Sequence, residues 1–405
     1  MQALSHTFKT SLIEGYKDIL QFWQEHSIDQ AFGGFYGEMD RRGKAVPSAP
    51  KGLVLNARIL WTFSSAYNFL KEEAYLQVAH RAYQYLIDHF WDKTHGGLFW
   101  SLNHKGELLD GRKQIYAQGF GIYGLSEYYK ATHKQESLDY ALELYHLIEK
   151  HSADPVHGGY LEALSREWGP MEDMRLSPKD ANEPKSMNTH LHIIEPYTNL
   201  FRVWPKAELG QKMEALIRVF LDKIIDNTTA HFQLFFERDW TVKSNMVSYG
   251  HDIEGAWLLH EAAEVLGDPQ LLKEVQAMSL RMAEVTLREG CSSDGSIFYE
   301  KDLSSGHLDQ DRHWWVQAEG MVGFMDAWQI SGQPLYLEKV YALWAYIEQN
   351  LIDRENGEWF LSIDATGKPE LTAPKGGFWK CPYHNTRALM ELTSRIKQSS
   401  LYLST

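Results

Sequence analysis

Six stretches built on one plan recur along this chain, and their recurrence limits what it can fold into more than any other feature. They are AFGGFYGEMD from Ala31, THGGLFWSLN from Thr94, VHGGYLEALS from Val156, TAHFQLFFER from Thr229, SDGSIFYEKD from Ser293 and ENGEWFLSID from Glu355. Aligned on the second glycine or its counterpart (Gly34, Gly97, Gly159, His231, Gly295 and Gly357), they stand 62 to 72 residues apart. Each is a glycine turn followed by alternating aromatic and polar residues, the pattern of a short strand or hairpin.

Helix-period runs fill the intervals. One helix of each pair is expected to begin near Leu53, Ile115, Met187, Tyr249, His313 and Pro382. Its partner precedes the next glycine segment, as in AYLQVAHRAYQYLIDHF and YLEKVYALWAYIEQNL. That makes two helices per repeat and twelve in all, with no linker to divide residues 1–405 into more than one domain. Repeats of this length stack so that each buries its neighbour's apolar face. The spacing is even to both ends, with no polar capping repeat, so a closed ring is expected rather than an open solenoid. The predicted fold is all-α, an (α/α)6 barrel with an inner and an outer layer and short β-hairpins at one end.

Composition narrows the function. An apolar fraction of 44% with 13% aromatics supplies a large core. A formal charge of −14 argues against nucleic acid or an anionic membrane as partner and fits a small neutral or cationic substrate. The two cysteines, Cys291 and Cys381, cannot make a disulfide framework and point to a reducing compartment. The opening MQALSHTFKTSLIEGYKDIL reads as an amphipathic helix, not a leader, and no run of 18 apolar residues suggests a membrane span. A cytoplasmic location is expected.

Unusual polar and aromatic residues fall at one phase of the repeat, near the start of the first helix: Asn56 and Arg58, Tyr116, Asn188 and His192, His251 and Glu254, Trp314 and Trp315, and His384. In a closed barrel these positions meet at one mouth of the inner ring, where convergent polar groups make a site. The stretch KSMNTHLHIIEPYTNLFRVW carries two histidines two residues apart, about 200° around a helix. His192 shares its face with Asn188 and Glu195. His190 lies with Met187, Ile194 and Tyr197, and is expected to be packed, bonded to the backbone or a tyrosine.

His192 with Glu195 and His251 with Glu254 both have His-x-x-Glu spacing, so a metal is one alternative. Neither H-E-x-x-H nor a cysteine pair supports it, and acid–base work is the preferred reading. His251 and His384 sit in first helical turns, where the dipole favours the neutral base. Trp61, Trp257 and Trp344, inside helix-period runs, need no account beyond packing. Trp314, Trp315 and Trp379 stand at or before inner-helix starts, where exposed faces suit sugar C–H surfaces.

At SMNTHLHIIEPYTNLFRVW, SYGHDIEGAWLLHEA, RHWWVQAEG and WKCPYHNTRALME the chain resembles the N-acylglucosamine 2-epimerase superfamily. Within it the chain is most similar to the cellobiose 2-epimerases and the related mannose 2-epimerases. The likeness runs from the helix of Arg58 to the C-terminal helix. It implies an (α/α)6 barrel, a sugar substrate, and catalysis with no metal or nucleotide cofactor. It also implies that His384 and His251 are the catalytic acid/bases, with His192 a third active-site histidine that helps open the sugar ring or stabilises the intermediate. Arg58, Tyr116, Asn188, Glu254 and Asp180 match pocket-lining positions, and Trp314 and Trp379 match tryptophans that contact the sugar.

The implied reaction interconverts glucose- and mannose-configured aldoses, on a free hexose or at a disaccharide's reducing end. A base poised near neutrality takes the C2 proton of the opened aldose. The resulting cis-enediolate is stabilised by Arg58 and His192. Epimerisation then needs proton return on the opposite face, which His251 and His384 on two sides provide. Two alternatives stand beside it. One is an aldose–ketose isomerase of the same superfamily. The other is a glycoside hydrolase, for which Asp180, Glu254 and Glu319 are the candidate carboxyl groups.

Overall fold

The computed structural model describes residues 6–402. Among them are twelve α-helices: α1 His6–His26, α2 Leu53–Leu70, α3 Glu73–Tyr85, α4 Ile115–Thr132, α5 Gln135–His151, α6 Met187–Val203, α7 Ala207–Val219, α8 Tyr249–Leu266, α9 Pro269–Val285, α10 Trp314–Ser331, α11 Pro334–Tyr346 and α12 Tyr383–Tyr402. The amphipathic opening expected from the sequence is α1; residues 1–5 lie outside the described residues.

The even-numbered helices form the inner ring. Each packs on the next, and α12 returns to pack on α2. Behind them, α3, α5, α7, α9 and α11 back α2, α4, α6, α8 and α10, while α1 backs α12. The ring is thus an (α/α)6 barrel closed by the two ends of the chain, since the sixth repeat takes its inner helix from one end and its outer helix from the other. Composition follows layer. Every residue of α10 from Trp314 to Ala327 is buried, because an inner helix has neighbours on all sides. In α3 only one face is buried, carrying Tyr75, Val78, Ala79, Ala82, Tyr83 and Tyr85.

Short antiparallel pairings pin the inner helices at their N-terminal ends. The residues just before an inner helix pair with the hairpin that follows the next glycine turn. The pairs are Lys51–Gly52 with Ser101–Leu102, Lys113–Gln114 with Ala163–Leu164, Lys185–Ser186 with Phe235–Phe236, Met246–Ser248 with Glu300–Asp302, and Arg312–His313 with Ser362–Ile363. The first N–H groups of α2, α4, α6 and α10 continue these ladders by donating to the carbonyls of Trp100, Glu162, Leu234 and Leu361.

The fourth residue of most inner helices grips the preceding hairpin. Gln118 and Gln317 accept from the N–H groups of Leu98 and Ile297, both at 2.8 Å. Asp252 accepts from Phe232 N–H at 2.8 Å, and His190 from Tyr160 N–H at 2.9 Å. At the far end of the ring, pairs such as Arg202–Glu261 and Arg395–Asp326, both 2.8 Å, link neighbouring inner helices.

Candidate active site

With the inner helices held in common register, their second and sixth residues face the barrel axis on two successive turns. The second residues include Tyr116, Asn188, Trp315 and His384, and the sixth include Arg58, Phe120, His192, Glu254 and Glu319. Fourth residues point instead at the hairpins. This register separates the two histidines of α6. His190 is fully used by the fold, with Nε2 accepting from Tyr160 N–H and Nδ1 donating to the Ser186 carbonyl at 2.6 Å. Burial holds it neutral, with its pKa pushed down to about 4.

His192 stands where α6 kinks, at φ −90° and ψ 18°. Pro196, four residues on, has no N–H to give the His192 carbonyl. α4 packs into the kink through Gly119, where a Cβ would lie 2.2 Å from that carbonyl oxygen. The His192 ring packs on Tyr116 and Phe120 at 4.8 and 5.0 Å, and its Nδ1 donates to Glu195 Oε2 at 2.9 Å. His384 Nδ1 donates to Glu319 Oε1 at 2.6 Å. His251 Nδ1 bonds Ser248 Oγ at 2.8 Å. A hydroxyl can donate or accept, so His251 is free to take either tautomer. Trp315 lies against both rings, 4.7 Å from His251 and 5.7 Å from His384.

Among the described residues, the Nε2 atoms of His192, His251 and His384 have no hydrogen-bond partner. All three rings are pushed toward the neutral form, His251 to about 3 and His384 well below its usual value, and the first cause in each is burial. The neighbouring charges of Arg58 and Arg387 add to this at His192 and His384. The helix dipole suggested by the sequence is therefore not needed to explain their neutrality.

Arg58 donates to Tyr116 Oη at 2.7 Å and lies over the rings of Phe120 and Tyr383 at 4.2 and 4.6 Å. Trp379 is half-buried at the rim, 6.0 Å from Tyr116 and also 6.0 Å from Trp100. Trp314 is buried beside Lys380 and His384, at 5.2 and 6.3 Å, with its indole N–H unpartnered. Asn188 and Asp180 share a small recess with Glu162. Asp180 itself accepts from Ser177 N–H at 2.8 Å, on the loop before α6, and does not bond the histidines.

Three features differ from the sequence reading. His192 pairs with Glu195, but Glu254 turns away from His251 and accepts from Arg387 at 2.8 Å. Trp257 does more than pack, since its N–H donates to Glu319 Oε2 at 3.0 Å. Arg387, which the sequence reading did not single out, lies at the centre of the cluster. Its one signal was a charged residue about a turn after His384, on an inner helix. Glu254, Glu319 and His384 form a group of metal-ligand type. A guanidinium nitrogen of Arg387 already stands between the two carboxylates, 2.8 and 2.7 Å away, and supplies the positive charge there. The same contact occupies Oε1 of both Glu254 and Glu319 with the guanidinium.

A family model described as N-acylglucosamine 2-epimerase (GlcNAc 2-epimerase) matches residues 34–388. The chain is 52% identical over 374 residues to cellobiose 2-epimerase from Bacteroides fragilis, covering 92% of this chain and 95% of that one. It is 43% identical over 379 residues to cellobiose 2-epimerase from Dictyoglomus turgidum, covering 93% and 96%. Among solved structures, cellobiose 2-epimerase from Bacillus thermoamylovorans matches with a TM-score of 0.92 at 39% identity, over 96% of this chain and all of that one.

Proposed function

The chain belongs to the N-acylglucosamine 2-epimerase family and is a sugar 2-epimerase, and from that premise we propose that it acts at C2 of the reducing-end residue of a cellobiose-like β-1,4-linked disaccharide, without a cofactor. The observation that carries the mechanism is the convergence of His192, His251 and His384, each with Nδ1 engaged and Nε2 open, around the cation of Arg58. The proposal takes residues 1–405 as one catalytic domain, because α1 and α12 complete the same ring. Both cysteines are free, which supports a reducing compartment and hence the cytoplasm.

In this mechanism one Nε2 takes the C2 proton of the opened sugar. The C–H electron pair moves between C2 and C1, and the C1 carbonyl oxygen becomes the enediolate oxygen. Neutral imidazoles are competent bases there, and the ion pairs of His192 with Glu195 and His384 with Glu319 stabilise the imidazolium that forms. Arg58 and the Tyr116 hydroxyl stabilise the enediolate. Rotation about C2–C3 then exposes the other face to the second histidine, which returns the proton. His251 and His384 fill these two roles, and His192 assists ring opening. Trp314 lies beside His384 in the wall. Asn188 and Asp180 line the edge, and Trp379 with Trp100 and Phe378 extends an aromatic shelf outward from Tyr116, where the second sugar of a disaccharide stacks.

Incubation with cellobiose, mannose and glucose in heavy water tests the proposal. Deuterium at C2 of the epimerised product is expected, with kcat/KM highest for cellobiose. Absence of exchange with all three sugars overturns the mechanism. A higher kcat/KM for mannose moves the substrate to the free hexose.

A further inference from the structure

Beneath the histidines, Arg387 joins four inner helices. One terminal nitrogen donates to Glu195 Oε1 and to Tyr383 Oη. The other donates to Glu254 Oε1 at 2.8 Å and Glu319 Oε1 at 2.7 Å. The three glutamates and Arg387 are each no more than 2% exposed. Three carboxyl groups therefore share one guanidinium where a net negative charge is costly to bury.

Their hydrogen bonds distinguish them. Glu195 accepts from Arg387, Tyr383 and His192, and Glu319 accepts from Arg387, His384 and Trp257. Both of their oxygens are filled by donors, which suits an ionised carboxylate. Glu254 accepts from Arg387 through Oε1 alone, and its buried Oε2 has no partner. A carboxylate with an orphan buried oxygen pays its full desolvation, whereas a carboxylic acid keeps an O–H to offer.

We propose that Arg387 is a positioning residue that sets the charge state of the active site. It holds Glu195 and Glu319 ionised beneath His192 and His384, and its single charge leaves Glu254 a carboxylic acid buried in the same cluster. The titratable and charged groups that face Glu254 are Glu319 of α10, Glu195 of α6, Tyr116 of α4, and Arg387, His384 and Tyr383 of α12. Burial first, and then the charge of Glu319, raise the Glu254 carboxyl well above its usual range. A neutral acid is what the chemistry wants here. It adds no negative charge beneath a developing enediolate, which an ionised Glu254 would repel.

This inference rests on the epimerase reading for its catalytic meaning, but its primary test does not need turnover. Infrared difference spectra of wild type against Glu254→Gln at neutral pH are expected to show the loss of one buried carboxylic-acid carbonyl band, distinct from any due to Glu162 and Glu300, which burial raises to about 7. Arg387→Met should add a second such band, because one more carboxyl group must then take up a proton. Persistence of the wild-type band in Glu254→Gln, or its absence from wild type, overturns the proposal whether or not Arg387→Met folds. An Arg387→Met spectrum identical to wild type also overturns it.

Activity gives a second reading. Glutamine is neutral, as the carboxylic acid is, and keeps an acceptor for Arg387, so Glu254→Gln should retain C2 exchange within about tenfold, the scale of one altered hydrogen bond. Glu254→Gln as inactive as Glu254→Ala overturns the neutral-acid assignment. Arg387→Lys keeps the charge but not the bridge. It should lower kcat about 10²-fold through misplaced histidines and leave KM within a few-fold; an unchanged kcat overturns the positioning role. Failure of wild type itself to exchange C2 protons would remove the epimerase reading and leave the infrared prediction standing.

Discussion

Gly119→Ala tests whether the kink at His192 sets the geometry of the site. Gly119 is on α4, Oε2 of Glu195 holds the His192 ring at 2.9 Å, and the new methyl would lie 2.2 Å from the His192 carbonyl oxygen. A carbon and a carbonyl oxygen settle no closer than about 3.3 Å, so relief requires roughly 1 Å of movement. α4 is packed between α2 and α6 and cannot retreat freely, so the kinked turn of α6 must move. That carries His192 away from its place beside Tyr116 and Arg58. A displacement of this size costs about 10²-fold in rate, while overpacking a core costs about 1–3 kcal/mol of stability. The expected result is a folded protein with near-native circular dichroism, a modestly lower urea midpoint, and C2 exchange down about 10²-fold. Activity within a few-fold of wild type in a folded variant would refute the reasoning, since α6 could then yield without moving the ring. Failure to fold would show that the contact matters to stability more than the overpacking scale allows.

Other outcomes follow from the same geometry. His384→Asn and His251→Asn should each lower net epimerisation by roughly 10²–10⁴-fold. At least one should still wash deuterium into unreacted sugar of a single configuration, and efficient epimerisation by either variant refutes the two-base scheme. Burial lowers the histidine pKa values, and the neutral forms are the active bases. The acid limb of kcat/KM should therefore fall below the ordinary imidazole range near 6.5, and a midpoint at or above 6.5 contradicts this. Gly159→Ala, at φ +71° with a Cβ 2.5 Å from His190 Nε2, combines left-handed strain with loss of the Tyr160 bond. A loss of about 2–5 kcal/mol in urea unfolding is expected, and a loss below about 1 kcal/mol refutes the assigned hairpin grip.

The architecture was legible in the chain because a repeat is a local signal. Helix starts expected at His313 and Pro382 fall one residue before the observed Trp314 and Tyr383, and those at Leu53, Ile115, Met187 and Tyr249 coincide with the structure. The division between His190 and His192 was also legible, since two residues on a helix face opposite ways whatever surrounds them. Which side chains meet across the ring was not. His-x-x-Glu spacing puts His251 and Glu254 on one helical face, yet Glu254 answers to Arg387, 133 residues away in sequence. Glu319 and Glu195 reach the same arginine across 68 and 192 residues. Trp257 read as core filler because nothing in α8 reveals the Glu319 carboxylate of α10 opposite its N–H. Periodicity fixes the face and depth of a side chain, because both follow from rotation and rise along one helix. Its partner is chosen only when closure of the ring sets six helices at one register and forces charges from different repeats to share a dry, crowded axis.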